Sequence, residues 1–287
     1  AAIFNPHAGR GSVTKARTKL SAMLQNEFGP MDIHHTEYPG HAREIAKSLK
    51  DSVEVIVGVG GDGTLHEIVN GMMGGKAALG VIPMGSGNDF IKMLNLPIDT
   101  VQAVQVIKNN LRKKIDVGKI GDRYFPNGVG IGFDAWVVRE SMKVKKLRGF
   151  LIYLYSVIKT IFSYKNSKVI VSIDGKEEER DIFLIAVGNG RAMGGGFFLT
   201  PQAEIDDGLL DICFIRNLKK WEVLLHLPKA INGKDIHLKQ IQMMKCDKLK
   251  IVSENGIAVH ADGELLGMDL KGLEISVLPA ALEVVTN

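Results

Sequence analysis

The densest chemistry in the sequence lies in Gly58-Val59-Gly60-Gly61-Asp62-Gly63-Thr64-Leu65-His66-Glu67, between an apolar run and an amphipathic one. Glycines let a backbone turn tightly and approach a ligand with no β-carbon in the way. A helix that opens there turns free N–H groups toward an anion. Gly58, Gly60 and Gly63 match the spacing of a dinucleotide fingerprint. Yet no acidic residue follows the next apolar run to hold a ribose, and Asp62 sits inside the loop. A carboxylate there repels bare phosphate but suits phosphates bridged by a divalent cation. The expected ligand is a metal–nucleotide complex. The alternative is a plain strand–helix turn in which Asp62 is a cap.

Two further loops repeat the pattern. Ile82-Pro83-Met84-Gly85-Ser86-Gly87-Asn88-Asp89-Phe90 follows an apolar run and opens a helix, and Ser86, Asn88 and Asp89 are each competent caps. Asn5-Pro6-His7-Ala8-Gly9-Arg10-Gly11 follows the first apolar run. Loops after successive parallel strands gather at the carboxyl edge of the sheet, where ligands bind. Together they favour a nucleotide site more than any one alone. No G-x-x-x-x-G-K-[ST] run occurs, so a P-loop is excluded.

Carboxylates recur late in the chain. In Val259-His260-Ala261-Asp262-Gly263-Glu264-Leu265 an Asp-Gly pair marks a hairpin tip, and Asp262 and Glu264 have the same parity, so they project to one side. Two such groups suit a general base with a metal or nucleotide partner, and a kinase base accepts the proton of an attacking hydroxyl. The alternative is a bare hairpin. Glu204-Ile205-Asp206-Asp207-Gly208-Leu209-Leu210-Asp211 either ligates a hard cation or forms a solvated turn.

The elements that must position these groups fall into two textures. Strands are predicted over 1–4, 53–59 and 78–82, with helices over 15–24, 65–73, 90–94 and 101–109. This alternation argues a parallel α/β sheet. Later, strands are predicted over 168–173, 181–187, 209–215, 248–252, 257–261 and 273–278. Turns are expected at Asp174-Gly175, Glu254-Asn255-Gly256 and Asp262-Gly263. Helices are predicted over 147–162 and 219–230. This half reads as mostly antiparallel β. The expected division is 1–117 and 118–287, with the boundary near 115–119. The opening Ala1-Ala2-Ile3-Phe4 reads as the end of a strand, so a few residues are expected to precede it.

Composition bounds the rest. The 287 residues are 45% hydrophobic and 24% charged, with a formal net charge of +4, so disorder is excluded and contact with an anionic ligand or leaflet is permitted. No basic–aromatic face favours nucleic acid. Cys213 and Cys246 stand in no metal spacing and imply a reduced, cytoplasmic compartment. His34, His35, His41 and His66 have no zinc spacing, no nucleophile elbow is present, and no signal peptide or membrane-spanning run is read.

In combination and order, these motifs resemble the diacylglycerol kinase catalytic family of lipid kinases in its soluble bacterial form. The resemblance rests on Asn5-Pro6 with Gly9, on Gly60-Gly61-Asp62-Gly63-Thr64 with Glu67-Ile68-Val69-Asn70-Gly71, and on Pro83 with Gly85-Ser86-Gly87-Asn88-Asp89-Phe90. Gly188-Asn189-Gly190, Gly194-Gly195-Gly196, Asp207-Gly208-Leu209-Leu210-Asp211 and Asp262-Gly263-Glu264 complete it, so it spans essentially the whole chain. It implies a parallel-sheet nucleotide-binding domain resembling phosphofructokinase and NAD kinase, then a β-sandwich-like domain, with the last segment returning to the first domain. It implies ATP and Mg²⁺ as cofactors and a lipid alcohol, first of all diacylglycerol, as acceptor. Nucleotide contacts would fall on Asn5, Pro6, Gly9, Thr36, Gly60, Gly61, Asp62, Gly63, Thr64, Leu65, His66, Glu67, Ser86, Asn88 and Asp89. Asp62 and Asp89 would help position the nucleotide-bound Mg²⁺. The base would be Glu264, with Asp262 next. A structural Mg²⁺ would use Glu204, Asp207 and the Leu209 carbonyl. Ser86 stands where Thr is frequent, and His66 where several relatives carry Asn.

A lipid substrate needs a membrane surface. Lys143, Lys145, Lys146 and Arg148 precede the apolar run 150–162, which Lys159 interrupts. Basic charge beside apolar surface favours anionic leaflets, at about 1 kcal/mol per Lys or Arg. The alternative is a core helix with a solvated basic start. Peripheral membrane contact is expected, no nucleic acid, and room is left for a homodimer. The rival readings are an NAD kinase-like enzyme, which shares Gly60-Gly61-Asp62-Gly63-Thr64, and a non-catalytic nucleotide- or lipid-binding module.

Overall fold

The computed structural model of the chain describes residues 1–10, 12–144, 147, 149–231 and 238–287. Gly11 and, of the basic stretch, Lys145, Lys146 and Arg148 lie outside the described residues. Contacts divide the chain into two units. One is Ala1–Asp116 with Ala280–Asn287, the other Val117–Pro279.

The first unit runs β1 (Ala2–Phe4), α1 (Ser12–Phe28), β2 (Ile33–His35), α2 (His41–Leu49), β3 (Val55–Gly60), α3 (Asp62–Met72), β4 (Ala78–Pro83), α4 (Asp89–Met93), α5 (Thr100–Asn109) and the start of β5 (Leu111–Ile120). β1 pairs in parallel with β2 and β3, and β3 with β4. Ile56–Gly60 and all of β4 are buried, as expected where helices cover both faces of a parallel sheet. Phe4, Leu24, Val57, Val59, Ile82 and Val104 form the core. The helix expected over 65–73 starts instead at Asp62, because Gly61 is already extended as its cap (φ −109°) and Asp62-Gly63-Thr64 make the first turn. The end of the chain joins this unit. Val284 pairs in parallel with Leu79, and Asp116 Oδ1 accepts the Ala280 N–H at 2.7 Å.

The second unit adds β6 (Arg123–Phe125), β7 (Gly128–Gly132), α6 (Phe133–Ser141), α7 (Phe150–Ser163), β8 (Ser167–Ile173), β9 (Lys176–Gly188), β10 (Leu210–Arg216), α8 (Lys220–Ile231), β11 (Ile241–Cys246), β12 (Lys248–Ala261) and β13 (Glu264–Thr286). Its pairings are antiparallel. One half of β9 pairs with β7 and the other with β8, and β12 also pairs with both, so the sheet folds back on itself. β10 and β11 extend the β9 side. Phe125, Ile131, Ile185, Phe214, Ile251 and Ile275 fill the interior. A fully buried side chain of this kind contributes about 1.5–3 kcal/mol.

One expected turn is not a turn. Glu254-Asn255-Gly256 lies inside β12, which joins the two strands expected over 248–252 and 257–261. Gly256 (φ 79°) accommodates a shift of register against β13 between Val252 and Ile257. A bulge needs the same left-handed residue as a turn, so the local signal is shared. No helix among the described residues is long and apolar enough to cross a membrane. Cys213 and Cys246 are both free and buried.

Candidate active site

In the first unit, the loops after β1, β3 and β4 are stitched together. Asn5 Nδ2 donates to Thr64 Oγ1 at 2.9 Å, and its Oδ1 accepts the His7 N–H at 3.0 Å. Met84 N–H donates to the Gly60 carbonyl at 2.8 Å. Phe90 N–H donates to Asp62 Oδ1 at 3.3 Å, so Asp62 is fixed by the neighbouring loop. Backbone meets backbone at Gly61 and Gly85, where a β-carbon on Gly61 would stand 2.8 Å from Gly85 Cα. Asn88 is left-handed (φ 53°), and its buried Oδ1 has no partner among the described residues. Ser86 is exposed between them, and Gly9 (φ 56°) turns the first loop.

Other expected contact residues have structural tasks. Thr36 N–H donates to the Phe4 carbonyl at 2.9 Å. Both Glu67 oxygens accept backbone N–H groups at the start of α2, from Gly40 at 2.9 Å and Ala42 at 3.1 Å. That negative charge offsets the positive end of the α2 dipole. Leu65 is buried in the α3 face. His66 is buried, with the Asn70 amide 3.4 Å from its Nε2. Asp89 is buried and paired with Lys92 at 3.1 Å.

In the second unit, Asp262 (φ 47°) and Gly263 (φ 84°) form the two-residue loop joining β12 to β13. Two consecutive positive φ values are the mark of a type I′ hairpin turn, which Asp-Gly favours. Asp262 Oδ1 accepts from Gly128 N–H at 2.8 Å and Asn127 N–H at 3.2 Å. Glu264 is exposed, with no hydrogen bond or ion pair among the described residues. Buried His260 bridges from the Gly263 N–H to Asp134.

The acidic stretch before β10 gathers around a lysine. Lys245 Nζ lies 2.6 Å from Asp207 Oδ2 and 3.4 Å from Asp211 Oδ2. Asp207 Oδ1 also accepts the Leu209 N–H at 3.0 Å. Burial pushes the Asp211 carboxyl above the ordinary range; Lys245 opposes this, and the charges of Asp207 and Glu204 add to it.

A largely apolar cavity lies within the second unit, bounded by α6, α7, α8 and the sheet. Its empty volume, open solvent at the mouth included, is about 730 Å³, with Val157, Phe183, Phe197, Leu227 and Ile241 in its walls. Asp134 and Tyr153 also line it. The Tyr153 hydroxyl stands 3.6 Å from the point a β-carbon on Gly263 would occupy, so one wall residue of the cavity neighbours the Asp262-Gly263 turn.

Residues 1–120 match the diacylglycerol kinase catalytic domain, and residues 127–286 match the YegS C-terminal NAD kinase beta sandwich-like domain. The chain belongs to the diacylglycerol kinase family of lipid kinases. This lipid kinase is 28% identical to the diacylglycerol kinase of Bacillus subtilis (strain 168), over 93% of its own length and 89% of the relative's. It is 30% identical to a Pseudomonas putida protein named "Probable lipid kinase YegS-like", over 91% and 87%. A crystal structure of a diacylglycerol kinase from Bacillus anthracis str. Sterne superposes with TM-score 0.78 at 26% identity, covering 100% of the lipid kinase and 96% of that chain. Yeast NADH kinase shares the fold alone, with TM-score 0.58 at 12% identity, covering 100% of the lipid kinase and 82% of that chain. Sequence reasoning about the lipid kinase passed over His260 and Asp134. The available signal was proximity: His260 stands two residues before Asp262, at the end of the strand that enters the hairpin tip.

Proposed function

We propose that this lipid kinase transfers the γ-phosphate of ATP to the hydroxyl of diacylglycerol, giving phosphatidic acid, in a Mg²⁺-dependent reaction. The observation that carries the acceptor is the apolar cavity whose wall residue Tyr153 neighbours the Asp262-Gly263 turn. Its mostly apolar walls suit acyl chains.

Glu264 takes the hydroxyl proton, because its carboxylate is exposed and uncommitted while Asp262 ties the turn to β7. The phosphates belong with the Gly60–Thr64 and Gly85–Asp89 loops, with Asn5, Pro6, Gly9, Thr36, Leu65, His66 and Glu67 around them. The residues fit such a group. The glycines let the two loops close backbone to backbone at Gly61 and Gly85, Ser86 is exposed between them, and the buried Asn88 Oδ1, an acceptor, suits the nucleotide's cation or a hydroxyl of its sugar. Asp62 and Asp89 would help position the nucleotide's Mg²⁺ through water. When bound, that ion neutralises charge on the phosphates.

For a structural Mg²⁺, Glu204, Asp207 and the Leu209 carbonyl offer the oxygen donors a hard cation takes. Burial first, and the charges of Asp207 and Glu204 after it, raise the Asp211 carboxyl; a dication there would offset the latter, although Asp207 would be shared with Lys245. Mg²⁺ is therefore expected to raise the melting temperature of the wild type, by about 2.7 kcal/mol of stability at one hundred times Kd. Asp207→Asn should lose that increment, as read by a melting series over Mg²⁺ concentration.

Lipid access is proposed through α7 and α8. Leu151, Tyr155, Ile158 and Phe162 form an exposed stripe on α7, and Trp221, Leu224 and Leu225 are exposed on α8. Lys220 joins the two helices, donating to the Phe162 carbonyl at 2.8 Å. Lys219, Lys220 and Lys229 are exposed and supply charge for an anionic leaflet. Of the basic stretch before α7, Lys143 pairs with Glu140. Replacing Phe162, Trp221 and Leu225 together by serine should weaken sedimentation with phosphatidylglycerol vesicles by roughly a thousandfold or more, given about 1.5–3 kcal/mol per large side chain. Unchanged sedimentation would remove this surface.

The deciding experiment supplies γ-labelled ATP and Mg²⁺ with diacylglycerol micelles, other lipid alcohols and NAD in parallel. Labelled phosphatidic acid supports the proposal. Label on another lipid changes the acceptor, label on NAD changes the reaction, and nucleotide binding without transfer favours a binding module.

A further inference from the structure

We infer that His260 is the positioning residue of the Asp262-Gly263-Glu264 turn, holding Gly263 through its ring so that Glu264 is presented as a base. The inference rests on the proposed role of Glu264. His260 is 3% exposed at the end of β12. Gly263 N–H donates to its Nδ1 at 3.2 Å, so Nδ1 carries the lone pair and the ring proton sits on Nε2. Nε2 in turn donates to Asp134 Oδ2 at 2.9 Å. A hydrogen-bonded partner on one ring nitrogen fixes the role of the other, so Asp134 selects the tautomer that can accept from Gly263.

Space for the pair is provided by Gly130 on β7. A β-carbon there would strike both the Asp134 carboxylate and His260 Nε2. The turn is therefore held at both of its loop residues by groups outside it. Asp262 is tied through its carboxylate to β7, and Gly263 is tied through His260 to the first turn of α6. Asp134 also lines the apolar cavity, so one short path of hydrogen bonds runs from the cavity wall to the residue preceding Glu264. Small errors in the placement of a reacting group are costly, with a shift of about 1 Å able to lower a rate by about a hundredfold.

Two substitutions separate this role from core filling. In His260→Asn the amide oxygen can stand where Nδ1 stands and accept from Gly263, but the side chain is too short to reach Asp134. In His260→Gln the amide can stand where Nε2 stands and bond Asp134, leaving Gly263 without an acceptor. Steady-state transfer from γ-labelled ATP to diacylglycerol in mixed micelles would be measured for both, with melting curves and NMR hydrogen exchange at the Gly263 amide. His260→Gln should lower kcat by about tenfold or more with both KM values retained, while His260→Asn keeps most of kcat. Gly263 exchange should quicken in His260→Gln and stay slow in His260→Asn. A residue that only fills the core predicts the reverse order, because glutamine is nearer to histidine in size. That reverse order, equal losses, or a rise in KM with kcat retained would overturn the inference. Wild-type protein that labels no lipid would instead sink the lipid kinase chemistry, and the exchange ranking would then decide the histidine's role alone.

Discussion

Glu264→Gln should lower kcat for lipid phosphorylation by about two to four orders of magnitude, the span general acid–base catalysis usually commands. KM for ATP should stay near the wild-type value. Glutamine keeps the size of glutamate and removes only its ability to take a proton, and the side chain has no bond or ion pair among the described residues to lose. Asp262→Asn is the comparison. Its amide oxygen can still accept from the Gly128 and Asn127 N–H groups that hold Asp262 Oδ1 at 2.8 and 3.2 Å. What it loses is the charge in those bonds, about 1 kcal/mol each by the difference between charged and neutral hydrogen bonds. The loss of rate should thus be smaller than in Glu264→Gln and accompanied by a lower melting temperature. The opposite ranking would transfer the base to Asp262.

Ala230→Phe should raise KM for a long-chain diacylglycerol by roughly a hundredfold. Ala230 lines the cavity from α8, so a ring at that position occupies the space proposed for acyl methylenes. Displacing three or four methylenes at about 0.8 kcal/mol each accounts for that factor. A short-chain acceptor that never reaches the site should be phosphorylated with little change. The chain-length dependence of kcat/KM is the measurement, and equal effects on long and short acceptors would show that the tails lie elsewhere.

How far the sequence carried can be judged from particular elements. Val57-Gly58-Val59-Gly60 entering a glycine loop, with Leu65, Ile68, Val69 and Met72 at helical spacing after it, carried both strand and helix, because each signal is local. Asp262-Gly263 was equally legible as a hairpin tip, since left-handed backbone at consecutive residues strongly limits the residue types. Glu254-Asn255-Gly256 misled, because the preference of Gly256 for positive φ does not say whether the chain reverses or merely bulges. The antiparallel partner decides that, and it is distant in sequence. Short β2 (Ile33–His35), with its His34 and His35, carries too little apolar pattern to be read as a strand, and is held by its pairing with β1. The apolar cavity and the Asp134–His260–Gly263 chain were invisible for the same reason. Asp134 and His260 are 126 positions apart, and no spacing rule reaches that far. The apolar run 150–162 illustrates the middle case. Its helix was legible, but the choice between core and surface was not, and α7 in fact buries Ser156, Val157, Thr160 and Ile161 while Leu151 and Phe162 face outward.

The return of the chain's end to the first unit bears on how the protein is made. Asp116 and Ala280, which meet at 2.7 Å, are 164 positions apart, and everything between them belongs to the second unit. On a ribosome, residues 117–279 emerge before the strand that pairs Val284 with Leu79 exists. The second unit has its whole sequence available for folding while the first still lacks an edge of its sheet. An open edge with unpaired backbone groups is a site for wrong pairing during synthesis. A released chain truncated after Pro279 should therefore protect the second unit from protease more than the first, an order opposite to that of the two units along the chain.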